Sequence, residues 1–230
     1  MSIRAVKKID NLVPIKNVVI SVFDKNNLDV LVRGIMLNCG KVMFYSSGGT
    51  HKVIAEILGP TTARQCLREV SQYTGQPESD GGLVKTLHHK LYLGYLTETY
   101  CPAHQADLKR EQAVPIDLAV INFYPFASVV KSAGITIEEA RGYIDVGGPS
   151  ALRACAKNWH RVMTLPSADL DAYNKFLEQL KKNKGCTDLK MRFEACRNSF
   201  GYLSRDTSEI YSHLLKVNNF EEALKDYTIL

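Results

Sequence analysis

Apolar residues recur along this chain with two periods, and their alternation predicts a parallel α/β architecture. Val18-Val19-Ile20-Ser21-Val22-Phe23 is a short β-branched run that reads as a first strand. Leu28, Leu31, Val32, Ile35 and Met36 then fall at helical spacing, ended by Cys39-Gly40, with Asp24 placed to cap that helix. Val42 to Tyr45 reads as a second strand, and Ser46 to Thr50 as a turn into a helix through Ile54, Ile57 and Leu58. Residues 59–90 are irregular and rich in Gly, Pro, Ser and Asp, as active-site loops often are, with a turn at Thr74 to Glu78. Ile116 to Phe123 is almost continuously apolar and predicts a buried central strand. Thr136-Ile137-Glu138-Glu139 has the form of a helix start. Asp145 ends a short strand or turn, and a helix follows from Pro149 to Lys157. Arg161 to Leu165 reads as another strand, and the chain from Ser167 onward as mostly helical. The order of elements gives an open, mainly parallel sheet flanked by helices, with a helical C-terminal part. The expected division is an N-terminal extension over 1–16, an α/β core over 17–165 and a helical part over 166–230.

Composition narrows the function classes. The net charge is +5, from 29 basic and 24 acidic residues, without a long Lys/Arg run or a basic–aromatic stripe. That favours an anionic small ligand and argues against nucleic acid. The six cysteines form no CxxC pair, the N-terminus has no secretory h-region, and no apolar run reaches eighteen residues. A cytoplasmic protein with no membrane partner is expected.

Four polar runs, three of them glycine-bearing, stand at expected strand ends, where backbone N–H groups and side chains converge on ligands in such sheets. Ser47-Gly48-Gly49-Thr50 follows a strand and opens a helix, which suits a phosphate; a serine/threonine cap on a tight turn is the plainer reading. It is neither a P-loop nor a GxGxxG turn. Lys25 lies at the same sheet edge and either reaches that anion or sits on the surface. Gly81-Gly82 leads into Lys85, Thr86 and His88-His89. Lys85 can neutralise charge or donate to a reacting oxygen, and Thr86 can hold a substrate. The adjacent histidines have no carboxylate or cysteine at ligand spacing, so no metal is expected. Asn122 and Tyr124 follow the buried strand, as ligand contacts or as a strand-end turn and an aromatic rim. Asp145-Val146-Gly147 precedes the helix on which Arg153 and Lys157 share one face.

In SVFDKNNL (21–28), SSGGT (46–50), GGLVKTLH (81–88), INFYPF (121–126) and IDVGGPSALRACAKNW (144–159), taken in this order, the chain resembles the IMP cyclohydrolase domain of the bifunctional purine-biosynthesis enzyme that also carries AICAR transformylase. The likeness extends over about residues 17–165 and more loosely over 166–215. It implies a methylglyoxal-synthase-like fold and closure of 5-formamido-imidazole-4-carboxamide ribotide (FAICAR) to inosine monophosphate and water. It further implies a catalytic set at Lys85, Tyr124, Asp145 and Lys157, and substrate contacts at Lys25, Ser47, Gly48, Gly49, Thr50, Thr86, Asn122, Val146 and Gly147. A purine ribotide is then the small-molecule partner, no cofactor is required, and a homodimer is compatible with the chain. The chain departs from the family at Leu83, where Arg is frequent, at His89, where proline is common, and at Phe23, where many members have a small polar residue. It carries no counterpart of the transformylase Lys-His motif. Two rival readings share the fold: a silent purine-nucleotide-binding regulatory domain, and a methylglyoxal-synthase-like lyase acting on a phosphorylated triose.

Overall fold

A computed structural model of the protein describes residues 6–131, 135–217, 219–224 and 227–229. Residues 1–5 of the expected N-terminal extension lie outside that range. In chain order the elements are β1 (Leu12–Pro14), β2 (Asn17–Val22), α1 (Leu28–Cys39), β3 (Met43–Ser46), α2 (Gly48–Cys66), β4 (Leu67–Glu69) and α3 (Val70–Thr74). A 3₁₀ turn (Asp80–Gly82) follows, then α4 (His89–Leu96), α5 (Pro102–Arg110), β5 (Leu118–Asn122), α6 (Phe126–Val129), α7 (Ile137–Gly142) and α8 (Gly147–Lys157). The last elements are β6 (Met163–Leu165), α9 (Leu170–Lys182), β7 (Cys186–Asp188), α10 (Leu189–Leu214) and α11 (Phe220–Ala223).

The main sheet has five parallel strands in the order β4-β3-β2-β5-β6. The chain winds outward from β2 to β4, then returns to place β5 on the other side of β2. The adjacent ends of β2 and β5, with Val22 paired to Asn122, therefore form the switch point at which open α/β sheets bind ligands. A separate antiparallel pair joins β1 to β7.

Burial explains the apolar runs. All five residues of β5 are buried, as befits a strand covered on both faces. Alternate residues serve two cores. Val18, Ile20, Leu118 and Val120 pack with Leu31, Ile35 and Phe176, from α1 and α9. Val19, Ala119 and Ile121 pack with Tyr95, Leu152 and Cys155, from α4 and α8. The 26-residue α10 lies along β6 and α8 and contributes to both cores, through Met191 and Ala195 on one side and Leu203 on the other.

Several local expectations shift. The helix expected from Asp24 begins at Leu28, because Asn27 takes a left-handed conformation (φ 58°) and the Asp24 carboxylate accepts the Asn26 N–H at 2.9 Å, shaping a turn instead. The second helix does not stop near Leu58. It breaks at Gly59 (φ 74°) and restarts at Pro60, whose missing N–H is harmless in a first turn, to run on to Cys66. The irregular 59–90 stretch thus contains β4 and α3 as well as loops. Thr136 forms a full capping box with Glu139, as its spacing predicts. Asp145 stands in the loop before α8, and α8 starts two residues ahead of Pro149.

Candidate active site

Beyond the C-terminal ends of β2, β3 and β5 lies an open cleft of about 670 Å³. That is ample for a ligand of nucleotide size. Its wall includes Lys25, Ser47, Gly48, Gly49, Thr50, Lys85, Thr86, Asn122, Tyr124, Asp145, Val146 and Gly147. Twelve of the thirteen residues expected from the sequence therefore converge. The exception is Lys157. It is exposed in the last turn of α8, and ten residues of helical rise put it about 15 Å from Gly147. Arg153 is likewise outside the lining, with its guanidinium over the Phe200 ring at 5.9 Å. Lys157, expected beside Tyr124 and Asp145, is thus not among the residues that line the cleft: the helix that begins there extends away from Gly147 before reaching it.

The Ser47–Thr50 turn opens α2, whose first N–H groups have no intrahelical partner and present a favourable field to an anion. Ser47 occupies the cap position, but its side chain makes no capping bond. Gly48 has φ +53°, which a side chain would strain. Two lysines flank this turn. The Lys85 ammonium would lie 3.6 Å from a Cβ placed on Gly48, and Lys25 Cε 3.9 Å from one on Gly49. Lys25 is steadied by donating to the Phe23 carbonyl at 3.0 Å. Thr50 has a scaffold duty, its buried hydroxyl donating to Val22 O at 3.0 Å. Asn122 does too. Its amide accepts the Asp24 N–H at 2.9 Å and donates to the Asp24 carbonyl at 3.0 Å, tying the ends of β2 and β5 together.

On the opposite wall, Asp145 accepts the Gly148 N–H at 2.8 Å, so its carboxylate is fixed at the start of α8. A Cβ on Gly148 would lie 3.2 Å from the second carboxylate oxygen and 3.0 Å from the Phe123 ring, which shows how closely this turn is packed. Thr86 comes near the same turn, 3.2 Å from a Cβ placed on Gly147. Tyr124 is 40% exposed, its ring centroid 4.0 Å from that of Phe23 and 5.9 Å from that of Tyr143. Behind this wall, on α10, the Asp206 carboxyl is pushed up to about 6, first by burial and then by the negative neighbours Glu209 and Asp145.

Phe23 and Leu83, the positions where the chain departs from the family, both line the cleft, and Leu83 is 85% exposed. Glu78, read only as part of a turn, forms an ion pair with Lys85 at 3.3 Å. No spacing rule relates two loop residues seven apart, so nothing in the sequence pointed to that pairing. His88 accepts the Lys90 N–H through Nδ1 at 3.1 Å and so caps α4. Away from the cleft, Glu98, Cys101 and His104 bring donor atoms within 4.8 Å of one another, but Nδ1 of His104 is engaged by the Glu98 N–H.

No family model matches the chain. Curated proteins do. Over 169 residues it is 38% identical to the bifunctional purine biosynthesis protein PurH of Trichormus variabilis, covering 74% of this chain and 32% of that protein. Over 183 residues it is 38% identical to PurH of Synechococcus sp. WH7803, covering 80% and 33%. Over 198 residues it is 36% identical to PurH of Thermosynechococcus vestitus, covering 86% and 36%. The chain is a homologue of the PurH proteins. It spans about a third of the length of these curated relatives. The crystal structure of ForH superposes with a TM-score of 0.65, covering 86% of this chain and 99% of that one. At 24% identity this likeness shows the fold, which is of the methylglyoxal-synthase-like kind. Among the described residues no helix is long and apolar enough to cross a membrane.

Proposed function

We propose that the cleft is the site of an IMP cyclohydrolase that closes the ring of FAICAR. The carrying observation is the convergence of Lys85, Tyr124 and Asp145 on one cleft with the Ser47–Thr50 turn and Lys25. Homology to PurH supports the same assignment. In this reading the ribotide phosphate lies on the N-terminus of α2 beside Lys25, leaving Lys85 to the reacting end of the substrate. The base extends toward Asp145, Val146 and Gly147.

In the reaction the carboxamide nitrogen forms a bond to the formyl carbon, giving a tetrahedral carbinolamine. That nitrogen loses one proton and the formamide nitrogen another. The formyl oxygen leaves with both as water, and a C=N bond closes the pyrimidine ring. The nitrogen is a poor nucleophile, so holding the substrate folded supplies much of the rate. In this reading Asp145, whose carboxylate is held by the Gly148 N–H, accepts from the carboxamide NH₂. Tyr124 and Lys85 serve as donors to the developing oxyanion.

The test follows the ultraviolet absorbance of purified protein with FAICAR. Formation of inosine monophosphate by the parent, and loss of about 10²–10³-fold in kcat for Lys85→Met, is the expected result. The alternative, a purine-nucleotide-binding regulatory domain without turnover, draws on Leu83 and Phe23 in the lining and on the position of Lys157. Tight binding of inosine monophosphate without any consumption of FAICAR would establish that alternative and sink the cyclohydrolase assignment.

A further inference from the structure

We infer that Glu78 is a positioning residue that acts through Lys85, holding its ammonium over the Ser47–Gly49 turn. The inference builds on the proposed role of Lys85. Glu78 does not line the cleft, whereas Lys85 does. One Glu78 oxygen stands 3.3 Å from the Lys85 Nζ. The backbone brings the two together: Ser79 N–H bonds to Val84 O at 3.1 Å and Gly82 N–H to Ser79 O at 2.9 Å, folding residues 79–84 into a closed loop. Gly82, at φ +74°, leaves the path of the lysine stem clear, since a Cβ there would lie 2.5 Å from Lys85 Cε.

Stability alone does not explain this arrangement. The lysine and glutamate side chains are 41% and 28% exposed, and an ion pair so placed contributes little to folding. The other carboxylate oxygen of Glu78 is buried with no hydrogen-bond partner, which costs stability. Local sacrifices of this kind cluster at functional sites. The gain falls on Lys85, whose long flexible stem would otherwise sample many rotamers above an open cleft. A carboxylate at its back also leaves the remaining ammonium protons directed toward substrate.

The experiment compares the parent, Glu78→Gln, Lys85→Met and the double variant in FAICAR turnover. It also measures acylation of the Lys85 amine by an amine-reactive ester, quantified by peptide mass spectrometry without substrate. Glu78→Gln is expected to lower kcat about ten-fold in the parent. In the Lys85→Met background it should change kcat by less than about two-fold, because its effect passes through the lysine. Lys85 acylation should rise roughly three-fold, the scale of a released exposed ion pair. Independent, multiplying effects on kcat, or unchanged acylation, would overturn the inference. The two readings fail separately. An inactive parent whose Lys85 acylation still rises in Glu78→Gln removes the cyclohydrolase and keeps the positioning. An active parent indifferent to Glu78→Gln does the reverse.

Discussion

Gly82 and Gly75 offer a paired test of whether the position of Lys85 matters for turnover. Both have φ in the left-handed region, +74° and +78°, so an alanine at either pays a similar backbone penalty of about 1–2 kcal/mol. For a chain of this size that corresponds to a fall of roughly 2–8 °C in Tm. Their surroundings differ. A Cβ at Gly75 meets nothing within 4 Å. One at Gly82 would sit 3.0 Å from Lys85 Nζ and 2.5 Å from its Cε, the latter a distance that real contacts essentially never show. Because the obstruction is the flexible end of a side chain, the lysine swings aside and the fold survives. Gly75 only ends α3, through a Gly75 N–H bond to Ser71 O at 2.8 Å. The expected outcome is therefore equal loss of Tm in the two variants. Gly75→Ala should keep parental kcat with FAICAR, while Gly82→Ala should lose about 10–100-fold. Thermal melts and absorbance-monitored kinetics suffice. Equal kcat in the two variants would refute the placement of Lys85 at the reacting centre, whatever their stabilities.

Three further outcomes are expected. Tyr124→Phe should lower kcat about 10²-fold while leaving affinity for inosine monophosphate nearly unchanged, as expected for a hydroxyl that acts on the developing oxyanion. Asp206→Asn should be stabilising at pH 7.5 and nearly neutral at pH 3.5, as read from melts at the two pH values. The folded carboxyl titrates near 6 against 3.8 for an ordinary aspartate, so its favourable protonated form is fully present below pH 3.8 and is lost as pH rises through 6. The full linkage of roughly 3 kcal/mol is screened at this half-buried site, leaving about 1 kcal/mol, or about 2–4 °C in Tm; a loss of stability at pH 7.5 would refute the sign. Arg192→Leu should cost about 3–5 kcal/mol and lower Tm by roughly 10 °C. Arg192 is fully buried and donates to the carbonyls of Asp10, Asn11, Trp159, His160 and Thr187, which would be left without it. A chemical-denaturation measurement checks this, and a cost below about 1 kcal/mol would show those carbonyls finding other donors.

What was legible in the chain, and what was not, follows from the range of the interactions. Strand runs such as Val18–Val22 and Leu118–Asn122 announce themselves because burial on both faces of a parallel sheet demands nearly continuous apolar sequence. The glycine runs at their ends were legible for the same reason, since the winding of the sheet must deliver those ends to one edge. The three-residue β4 at the sheet edge was not, because so short a strand has no period to detect. Side-chain duties set by distant partners were also hidden. Thr50 and Asn122 sit where a ligand contact was expected, yet their polar atoms join β2 to α2 and to β5 across separations of 28 and 98 residues. Lys157 is a different case: the family resemblance, not its spacing, suggested its role, and it lies outside the lining of the cleft. The four-residue spacing that places it on one face with Arg153 describes angle about the axis, while the ten-residue rise from Gly147 sets the distance along it. The lysines that do reach the cleft, Lys25 and Lys85, are both loop residues. Their ammonium groups are held by groups outside the helices, a carbonyl at Phe23 and a carboxylate at Glu78. The polar lining of this cleft is thus assembled largely by its loops, and the sheet's contribution is to bring them to the same edge.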